Sequence, residues 1–365
     1  MRIVVNDIVA VPNSGGVYSI LTDFYNEVLN YSKLHKDVEW IFLVSGKFLK
    51  ETDNIKIICF PEIKKSHLKR LLFELLNGKK IINSLKPDVY LSLQNTMTLG
   101  VNAKKWTYLH QPLPYQKEMK FSIFKRLERK MLFYKYIVGS VINYTLSHGD
   151  TKIIVQTSWM KDAVVEKNIT TEENIVVFPP KAVSHLNFSV HEEKIFNNFF
   201  YPATGMVYKN HALLFKAAKM LEDEGFKFNI YCTLTPDELK NLGLKSINSI
   251  HVLGRVDRQE VLRRYSESTL VFPSLIETYG LPLQEAKNAG TFILAGDTSF
   301  SNEILESYPN KDLFDPYRFE DLADKMRLCL EGKVKIIQKS NEKSHSENTK
   351  GSLVNLITDG VISDE

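Results

Sequence analysis

Long apolar runs, paired cysteines and a strong net charge are all missing from this sequence of 365 residues. No apolar stretch approaches the roughly 20 residues that a membrane-spanning helix needs, so we expect a cytoplasmic protein. The three cysteines, Cys59, Cys232 and Cys329, lack metal-ligand spacing, which indicates reduced thiols and no zinc site. A net charge of +4 gives no electrostatic case for a nucleic-acid-binding protein.

What the sequence does contain is an alternation of short branched or aromatic runs with helical patterns, which is typical of parallel sheets with crossover helices. The chain is too long for one compact core, so two doubly wound α/β domains are predicted. Periodicity is lost after Pro179-Pro180. We predict an N-terminal domain over 1–180, a linker over 181–193, a C-terminal domain over 194–337, and a polar tail over 338–365 whose residues 353–362 could dock as a last short element.

Two glutamates stand eight positions apart in the segment SLIETYGLPLQEAKNAG, residues 274–290. Pro282 suits a first helical residue and Gly290 suits the position just past a helix end, so a helix is predicted over 282–289. Glu277 is then expected to end a strand and Glu285 to lie in the first helical turn. Both would face the carboxyl edge of a parallel sheet, where open α/β folds bind ligands.

A nucleotide-sugar would suit this edge. Amides at a helix start can hold diphosphate oxygens, and a nearby carboxylate can accept hydrogen bonds from vicinal hydroxyls. On spacing alone, a helix-start acid and a solvated loop residue explain the two glutamates equally well.

The glutamate segment and its surroundings resemble the donor-binding core of the retaining glycosyltransferases of family 4, the glycosyl transferases group 1. The residues that carry the resemblance are Val252-Leu253-Gly254, Tyr265, Val271-Phe272-Pro273-Ser274, Glu277, Tyr279-Gly280-Leu281-Pro282, Glu285-Ala286 and Gly290. Segments 201–221, 153–164 and 13–21 resemble the lysine-bearing loop, the last N-domain strand and helix, and the first glycine loop of the same family. The resemblance implies the GT-B fold, in which two Rossmann-like doubly wound domains face each other across a cleft.

On the donor side, the resemblance implies that Glu285 binds the ribose hydroxyls and that Glu277 holds hydroxyls of the transferred sugar. Lys209 would neutralise the diphosphate, and no metal is expected because the chain has no Asp-x-Asp triplet. Donor contacts are also assigned to Thr278, Tyr279, Gly280, Leu281, Gly254 and Arg255. The arginine that usually precedes the lysine is missing, because residues 204–208 contain no basic side chain. Arg255 and Lys181 are candidate substitutes.

On the acceptor side, Gly15 and Gly16 separate a predicted strand from a helical run, so their amides could approach the donor phosphate. A plain turn explains this pair equally well. His110 follows a predicted strand, where the family carries a histidine near the reacting sugar. A buried, hydrogen-bonded histidine is the alternative.

Two segments, 60–86 and 117–136, are rich in lysine and arginine. In the first, leucines at 68, 71, 72, 75 and 76 repeat with the spacing of an amphipathic helix. Ordinary solvated helix faces produce such patterns. Contact with an anionic membrane would suit an enzyme whose acceptor is linked to a lipid diphosphate.

Taken together, these features predict a metal-independent glycosyltransferase without a cofactor. It would move a sugar from a UDP- or GDP-linked donor to an acceptor hydroxyl with retention, in bacterial surface polysaccharide assembly at the inner face of the cytoplasmic membrane. A nucleotide-sugar epimerase on the same fold and a non-catalytic nucleotide-sugar-binding protein are the alternatives. No nucleic acid partner is expected.

Overall fold

The computed structural model describes residues 1–12, 16–180, 196–337 and 351–362. The chain divides into two compact units. The first unit holds Met1–Tyr115, Phe133–Pro179 and Ser344–Glu365, and the second holds Gln116–Leu132 and Pro180–Lys343. Residues 116–132 therefore group with the second unit, although the sequence assigned them to the N-terminal domain. The predicted linker, 181–193, and most of the predicted tail, 338–350 and 363–365, lie outside the described residues.

A seven-stranded parallel sheet forms the centre of the first unit within the described residues. Its strands are β1 (Arg2–Asp7), β2 (Glu39–Val44), β3 (Ile55–Cys59), β4 (Val89–Ser92), β5 (Lys104–Leu109), β6 (Lys152–Val155) and β7 (Ile175–Val177). The spatial order is β3-β2-β1-β4-β5-β6-β7, so the strand order reverses between β1 and β4. In register, Ile3 lies between Trp40 of β2 and Val89 of β4.

The helices between these strands follow the predicted alternation. They are α1 (Gly16–Leu34), α2 (Pro61–Lys64), α3 (His67–Leu72), α4 (Gly78–Ser84), α5 (Arg126–Leu132), α6 (Gly139–His148) and α7 (Ser158–Glu166), with π-helical turns at Phe73–Asn77 and Phe133–Val138 and a short 3₁₀ turn at Glu172–Asn174. Helix α5 belongs to the second unit.

The second unit is built around a six-stranded parallel sheet of the described residues. Its strands are β8 (Asn198–Tyr201), β9 (Asn229–Cys232), β10 (Ile250–Val252), β11 (Thr269–Phe272), β12 (Ile293–Gly296) and β13 (Lys311–Phe314). Its main helices are α8 (His211–Asp223), α9 (Pro236–Asn241), α10 (Arg258–Glu267), α11 (Leu281–Ala289), α12 (Ser299–Leu305) and α13 (Phe319–Leu330). The order β10-β9-β8-β11-β12-β13 reverses between β8 and β11, so both units are doubly wound α/β domains, as predicted.

A last helix, α14 (Leu353–Ile362), packs on the first unit. Val354 and Ile357 are fully buried in the same apolar cluster as Leu21 and Val28 of α1. Glu27 of α1 accepts hydrogen bonds from the hydroxyl of Ser352, at 2.6 Å, and from the next amide of the chain. Residues 352–357 are therefore held against α1.

The leucine pattern of residues 68–76 gives a helix, but the leucines do not face the core. Leu68 is 64% exposed and Leu76 is 56% exposed, whereas Phe73 and Glu74 are buried. The chain forms α3 and then a π-helical turn, which changes the angular spacing of the side chains, so the periodic pattern does not predict the buried face. Among the described residues, no helix is long and apolar enough to cross a membrane.

Candidate functional site

Strands β8 and β11 are neighbours where the order of the second sheet reverses. Chain connections leave in opposite directions at such a point, and the carboxyl ends of the strands open into a crevice that binds ligands. Hydrogen bonds join the loops that follow these strands. The amide of Leu275 donates to the carbonyl oxygen of Tyr208 at 2.8 Å, and the Tyr201 hydroxyl donates to the carbonyl oxygen of Lys209 at 2.7 Å.

These loops bring Lys209 and Glu277 into direct contact, with Nζ of the lysine donating to Oε1 of the glutamate. The Ser274 hydroxyl donates to the same oxygen at 2.8 Å. The two charged side chains are 18% and 15% exposed, so the pair is sheltered but reachable from solvent. A lysine ammonium has three donor positions, so Lys209 can also bind a phosphate oxygen.

The backbone around Lys209 turns sharply. Residues Val207–Lys209 form a 3₁₀ turn, and Asn210 adopts the left-handed conformation with φ of 57° before α8 begins. Asparagine tolerates this conformation better than most residues. Its side-chain amide donates to the carbonyl oxygen of Pro316 at 2.8 Å, which fixes the turn that carries Lys209.

The segment between the two glutamates differs in detail from the predicted one. Strand β11 ends at Phe272, because Pro273 has no amide hydrogen to extend the ladder, so Glu277 lies in a loop and not at a strand end. Gly280, with φ of 89°, caps α11, which begins at Leu281. Glu285 therefore lies in the second helical turn and not in the first. The predicted left-handed cap at Gly290 is confirmed, with φ of 76°.

Glu285 is nearly buried, with its side chain 8% exposed. Oε1 accepts a hydrogen bond from the Arg258 guanidinium at 2.7 Å, and Oε2 accepts one from the Tyr265 hydroxyl at 3.2 Å. Both partners come from α10, whose first turn is capped by Asp257. Sequence reasoning missed Arg258, and the only signal for it was a basic residue directly after a helix cap.

Gly254 and Arg255 follow β10. Gly254 has a φ of 71°, which favours glycine, and its amide donates to the carbonyl oxygen of Leu234. Arg255 donates to the Glu238 carboxylate at 2.6 Å and to the carbonyl oxygen of Thr233 at 2.8 Å. The same Glu238 oxygen accepts the amide of Gly205 at 3.0 Å. Arg255 thus lies near the 204–208 loop, which lacks the expected arginine. However, the positive charge of Arg255 is already paired with Glu238.

Glu238 is ionised over the whole neutral range. Its partial burial would raise its pKa, but hydrogen bonds from the backbone of Thr235 and Gly205 and from Arg255 hold the pKa at about 2. Its carboxylate also closes a capping box at the start of α9. The 204–206 loop is therefore tied to α9 through one charged side chain.

In the first unit, His110 directly follows β5. Its amide donates to Oδ1 of Asn95 at 2.7 Å, and its Nε2 lies 3.2 Å from Nδ2 of the same side chain. Burial lowers the pKa of His110 to about 4, so the ring is neutral near pH 7. Gly16 begins α1, and Gly15 lies outside the described residues.

Sequence reasoning also missed Asp7, at the carboxyl end of β1 where the first sheet reverses its order. The residue is fully buried, and neither carboxylate oxygen has a hydrogen-bond partner among the described residues. Burial raises its pKa well above the ordinary value, and the nearby amide of Ala10, which lies outside hydrogen-bond geometry, and the charges of Lys64 and Arg70 oppose that rise only in part. The signal in the sequence was an acidic residue ending a wholly apolar strand.

The first unit also contains a buried polar network centred on Glu74. Its carboxylate accepts hydrogen bonds from the Thr98 hydroxyl, at 2.7 Å, and from the side-chain amide of Gln94. Burial raises the pKa of Glu74 to about 7. Within the described part of the chain, no group of three or more His, Cys, Asp or Glu side chains is arranged to hold a metal ion.

Comparisons with known proteins agree with this architecture. Residues 191–350 match the family model of the glycosyl transferases group 1. No curated protein sequence matches the chain. Similar solved structures include the lipopolysaccharide outer core galactosyltransferase WaaB, at 17% identity over 92% of each chain and a TM-score of 0.62.

Two other similar structures are WaaG, a glycosyltransferase involved in lipopolysaccharide biosynthesis, and HepE of Anabaena in complex with UDP. WaaG is 13% identical over 90% of each chain, with a TM-score of 0.63. HepE is 15% identical over 92% of each chain, with a TM-score of 0.61. At these identities the likeness shows the GT-B fold alone.

Proposed function

We propose that this chain, whose residues 191–350 belong to the glycosyl transferases group 1 family, transfers a sugar from a nucleoside-diphosphate sugar to an acceptor hydroxyl with retention of anomeric configuration. The observation that carries the proposal is the contact between Lys209 and Glu277 at the switch point of the second sheet. One side chain suits a diphosphate and the other suits sugar hydroxyls, and the turn between the two glutamates ends in a helix start.

Lys209 stabilises the leaving group in this proposal. As the glycosidic bond breaks, negative charge grows on the diphosphate, and a fixed cation binds that charge more tightly in the transition state than in the ground state. At the start of α11, Pro282 has no amide hydrogen, and the amides of Leu283 and Gln284 donate to the carbonyl oxygen of Gly280, so the amide of Leu281 adds the hydrogen-bond donor for the same phosphate. We propose that no metal ion is required.

Glu277 positions the transferred sugar. Its contacts with Lys209 and Ser274 both use Oε1, so Oε2 is directed to the hydroxyls of the sugar. Glu285 binds the ribose, and Arg258 and Tyr265 orient its carboxylate before the donor arrives. Carboxylate contacts to hydroxyls are charge-assisted and stronger than contacts between neutral groups.

In this proposal His110, in the first unit, interacts with a sugar hydroxyl as a neutral group. At its depressed pKa the ring carries no charge near pH 7, so it acts as a hydrogen-bond partner for a sugar hydroxyl and does not stabilise anionic charge. The contact of Nε2 with the side-chain amide of Asn95 orients the ring, and the hydrogen bond from the backbone amide of His110 to the same side chain holds Asn95 in place.

The proposed setting is bacterial surface polysaccharide assembly, at the inner face of the cytoplasmic membrane. Two proteins of similar fold support this setting: WaaB is a lipopolysaccharide outer core galactosyltransferase, and WaaG is a glycosyltransferase involved in lipopolysaccharide biosynthesis. HepE is described with UDP, which makes UDP-sugars the first donors to test. An acceptor linked to a lipid diphosphate would present its hydroxyl at that membrane face.

A thermal unfolding screen of UDP- and GDP-sugars tests the donor. A ligand at 100 times its dissociation constant stabilises the folded state by about 2.7 kcal/mol, which shifts the melting temperature measurably. Nucleotide release with the stabilising donor is then measured with and without candidate acceptors, and the anomeric configuration of the product is read by NMR.

Three outcomes separate the candidate functions. Acceptor-dependent nucleotide release with a retained anomer supports the proposal. Conversion of the sugar without nucleotide release would identify an epimerase, and stabilisation without turnover of any kind would identify a binding protein.

A further inference from the structure

The first unit exposes an apolar patch made of six large side chains: Leu68, Leu72, Leu76, Phe133, Tyr136 and Ile137. Their exposed fractions are 64, 38, 56, 41, 59 and 58%, respectively. Single exposed apolar residues are common, but contiguous exposed groups mark surfaces that bind something.

The two halves of the patch are neighbours in the structure. The ring of His67, beside Leu68, contacts the ring of Phe133 with centroids 6.0 Å apart. Leu68, Leu72 and Leu76 lie along one face of α3 and the π-helical turn that follows it. Phe133, Tyr136 and Ile137 lie on the second π-helical turn. Both turns belong to the first unit, so the patch is one surface of one unit.

Charge around the patch has one dominant sign. Lys65, Lys69, Lys79 and Lys80 are exposed on the leucine-bearing segment, 61–80. Of its two acidic residues, Glu74 is buried, and Glu62 lies 2.6 Å from Lys65 and 3.7 Å from Lys69. The polar border of the patch is therefore cationic.

We propose that this patch docks the first unit onto an anionic lipid bilayer, with the helix axes lying in the membrane plane. An apolar stripe bordered by lysines is the composition of interfacial helices, whose apolar face enters the headgroup region while the lysines contact anionic lipids. No described helix can span a bilayer, so the contact is peripheral and reversible. The proposal deepens the proposed function, because it names the surface that meets a lipid-linked acceptor.

Vesicle co-sedimentation of the full chain tests the surface without any sugar transfer. Vesicles of phosphatidylcholine with about a third phosphatidylglycerol should bind the protein, and vesicles of pure phosphatidylcholine should bind it much more weakly. A lysine near an anionic surface contributes about fivefold in binding, so Lys69→Gln, Lys79→Gln and Lys80→Gln together should weaken binding about a hundredfold. Lys33→Gln and Lys36→Gln, two exposed lysines elsewhere on the same unit, serve as the matched control.

The apolar side chains are tested separately with Leu68→Gln and Leu72→Gln, and with Phe133→Gln and Ile137→Gln. Each pair should weaken binding at least tenfold, whereas Leu34→Gln, at a residue 85% exposed on the same unit, should leave binding unchanged. Amide hydrogen exchange of the unmodified protein provides a test that does not depend on the folding of any variant. Anionic vesicles should slow the exchange of the amides in residues 66–84 and 133–144.

Failure to bind anionic vesicles would overturn the proposal, as would binding that the patch variants do not weaken. If the patch instead joins two copies of the chain, the apolar variants would have half the solution mass of the unmodified protein, and this result would also overturn the proposal. The vesicle experiments contain no donor or acceptor, so a negative result there would not contradict the proposed sugar transfer. Likewise, a donor screen without a stabilising nucleotide-sugar would not contradict the proposed membrane contact.

Discussion

Replacing Lys209 with alanine removes the cation that contacts Glu277 at the switch point of the second sheet. Removing one preorganised donor to a developing anion costs about 2.7–4 kcal/mol in the transition state. Because Lys209 is 18% exposed, water replaces part of the lost interaction, and the lower end of that range applies. We expect kcat to fall by about a hundredfold and KM to rise by less than tenfold.

The same substitution also affects folding, and this effect must be separated from catalysis. Breaking a fully buried ion pair costs about 3–5 kcal/mol, but the Glu277 side chain is 15% exposed and keeps its hydrogen bond from Ser274. We therefore expect Lys209→Ala to lose roughly 1–2 kcal/mol of unfolding free energy. A loss of this size leaves the enzyme folded in the assay.

Steady-state turnover of the donor identified by thermal unfolding, together with chemical denaturation, measures both quantities. Lys240→Ala removes an exposed lysine of the same unit and is the matched control. A double-mutant cycle with Glu277→Gln then gives the coupling of the pair in kcat and in stability. The role given to Lys209 would be refuted if Lys209→Ala keeps turnover within threefold of the unmodified protein and the double-mutant cycle shows coupling in unfolding free energy but not in kcat. The pair would then be structural.

Four further predictions follow from the site and its surroundings. Glu285→Ala should weaken donor binding by about 1.5–3 kcal/mol, measured by calorimetry, because it removes a charged hydrogen-bond acceptor. This acceptor acts in the ground state and the transition state alike, so kcat should change little. An unchanged donor affinity would show that Glu285 does not bind the donor. Turnover should persist in excess EDTA, and loss on chelation with recovery in Mn²⁺ would contradict the role of Lys209. Burial raises the pKa of Glu74 to about 7, so the folded state keeps a proton that the unfolded chain loses near pH 4.5. The free energy of unfolding should therefore fall by about 2.5 kcal/mol as the pH rises from 5 to 8, and the same pH dependence in Glu74→Gln would contradict this. Asp7→Asn removes a buried carboxylate that has no hydrogen-bond partner among the described residues, so the variant should gain roughly 0.5–2 kcal/mol of stability at pH 8 in denaturation measurements, without a gain in turnover. A net loss of stability would show that Lys64 and Arg70 already compensate the charge of Asp7.

The sheets were largely predictable from the sequence because central parallel strands are buried on both faces and appear as continuous apolar runs. Strands β7 and β13 were not predicted. Both lie at sheet edges, and Lys311 and Asp312 of β13 interrupt the apolar signal. The short helix α9 was missed as well, although Thr235 and Glu238 form a capping box at its start.

The site was predictable only in part. The resemblance singled out Lys209 and Glu277, but their contact joins positions 68 residues apart and depends on β8 and β11 being neighbours. Arg258 could not be assigned, because its role comes from the packing of α10 beside α11 and not from any local pattern. The exposure of Leu68 could not be predicted either. The periodic pattern predicts a helix, but it does not tell which face of that helix meets solvent.

The two switch points differ in how completely their charges are paired, and this difference bears on function. At β8 and β11, Lys209 and Glu277 neutralise each other, so this edge is stable without a ligand and a donor must share an existing pair. At β1, the buried carboxylate of Asp7 has no hydrogen-bond partner among the described residues. A buried polar group left unsatisfied costs about 1–3 kcal/mol, and sequences retain such costs mainly at functional or strained sites. The edge at β1 is therefore the one that a donated hydrogen bond would stabilise, whereas a ligand at β8 and β11 must share the charge of Lys209 with Glu277.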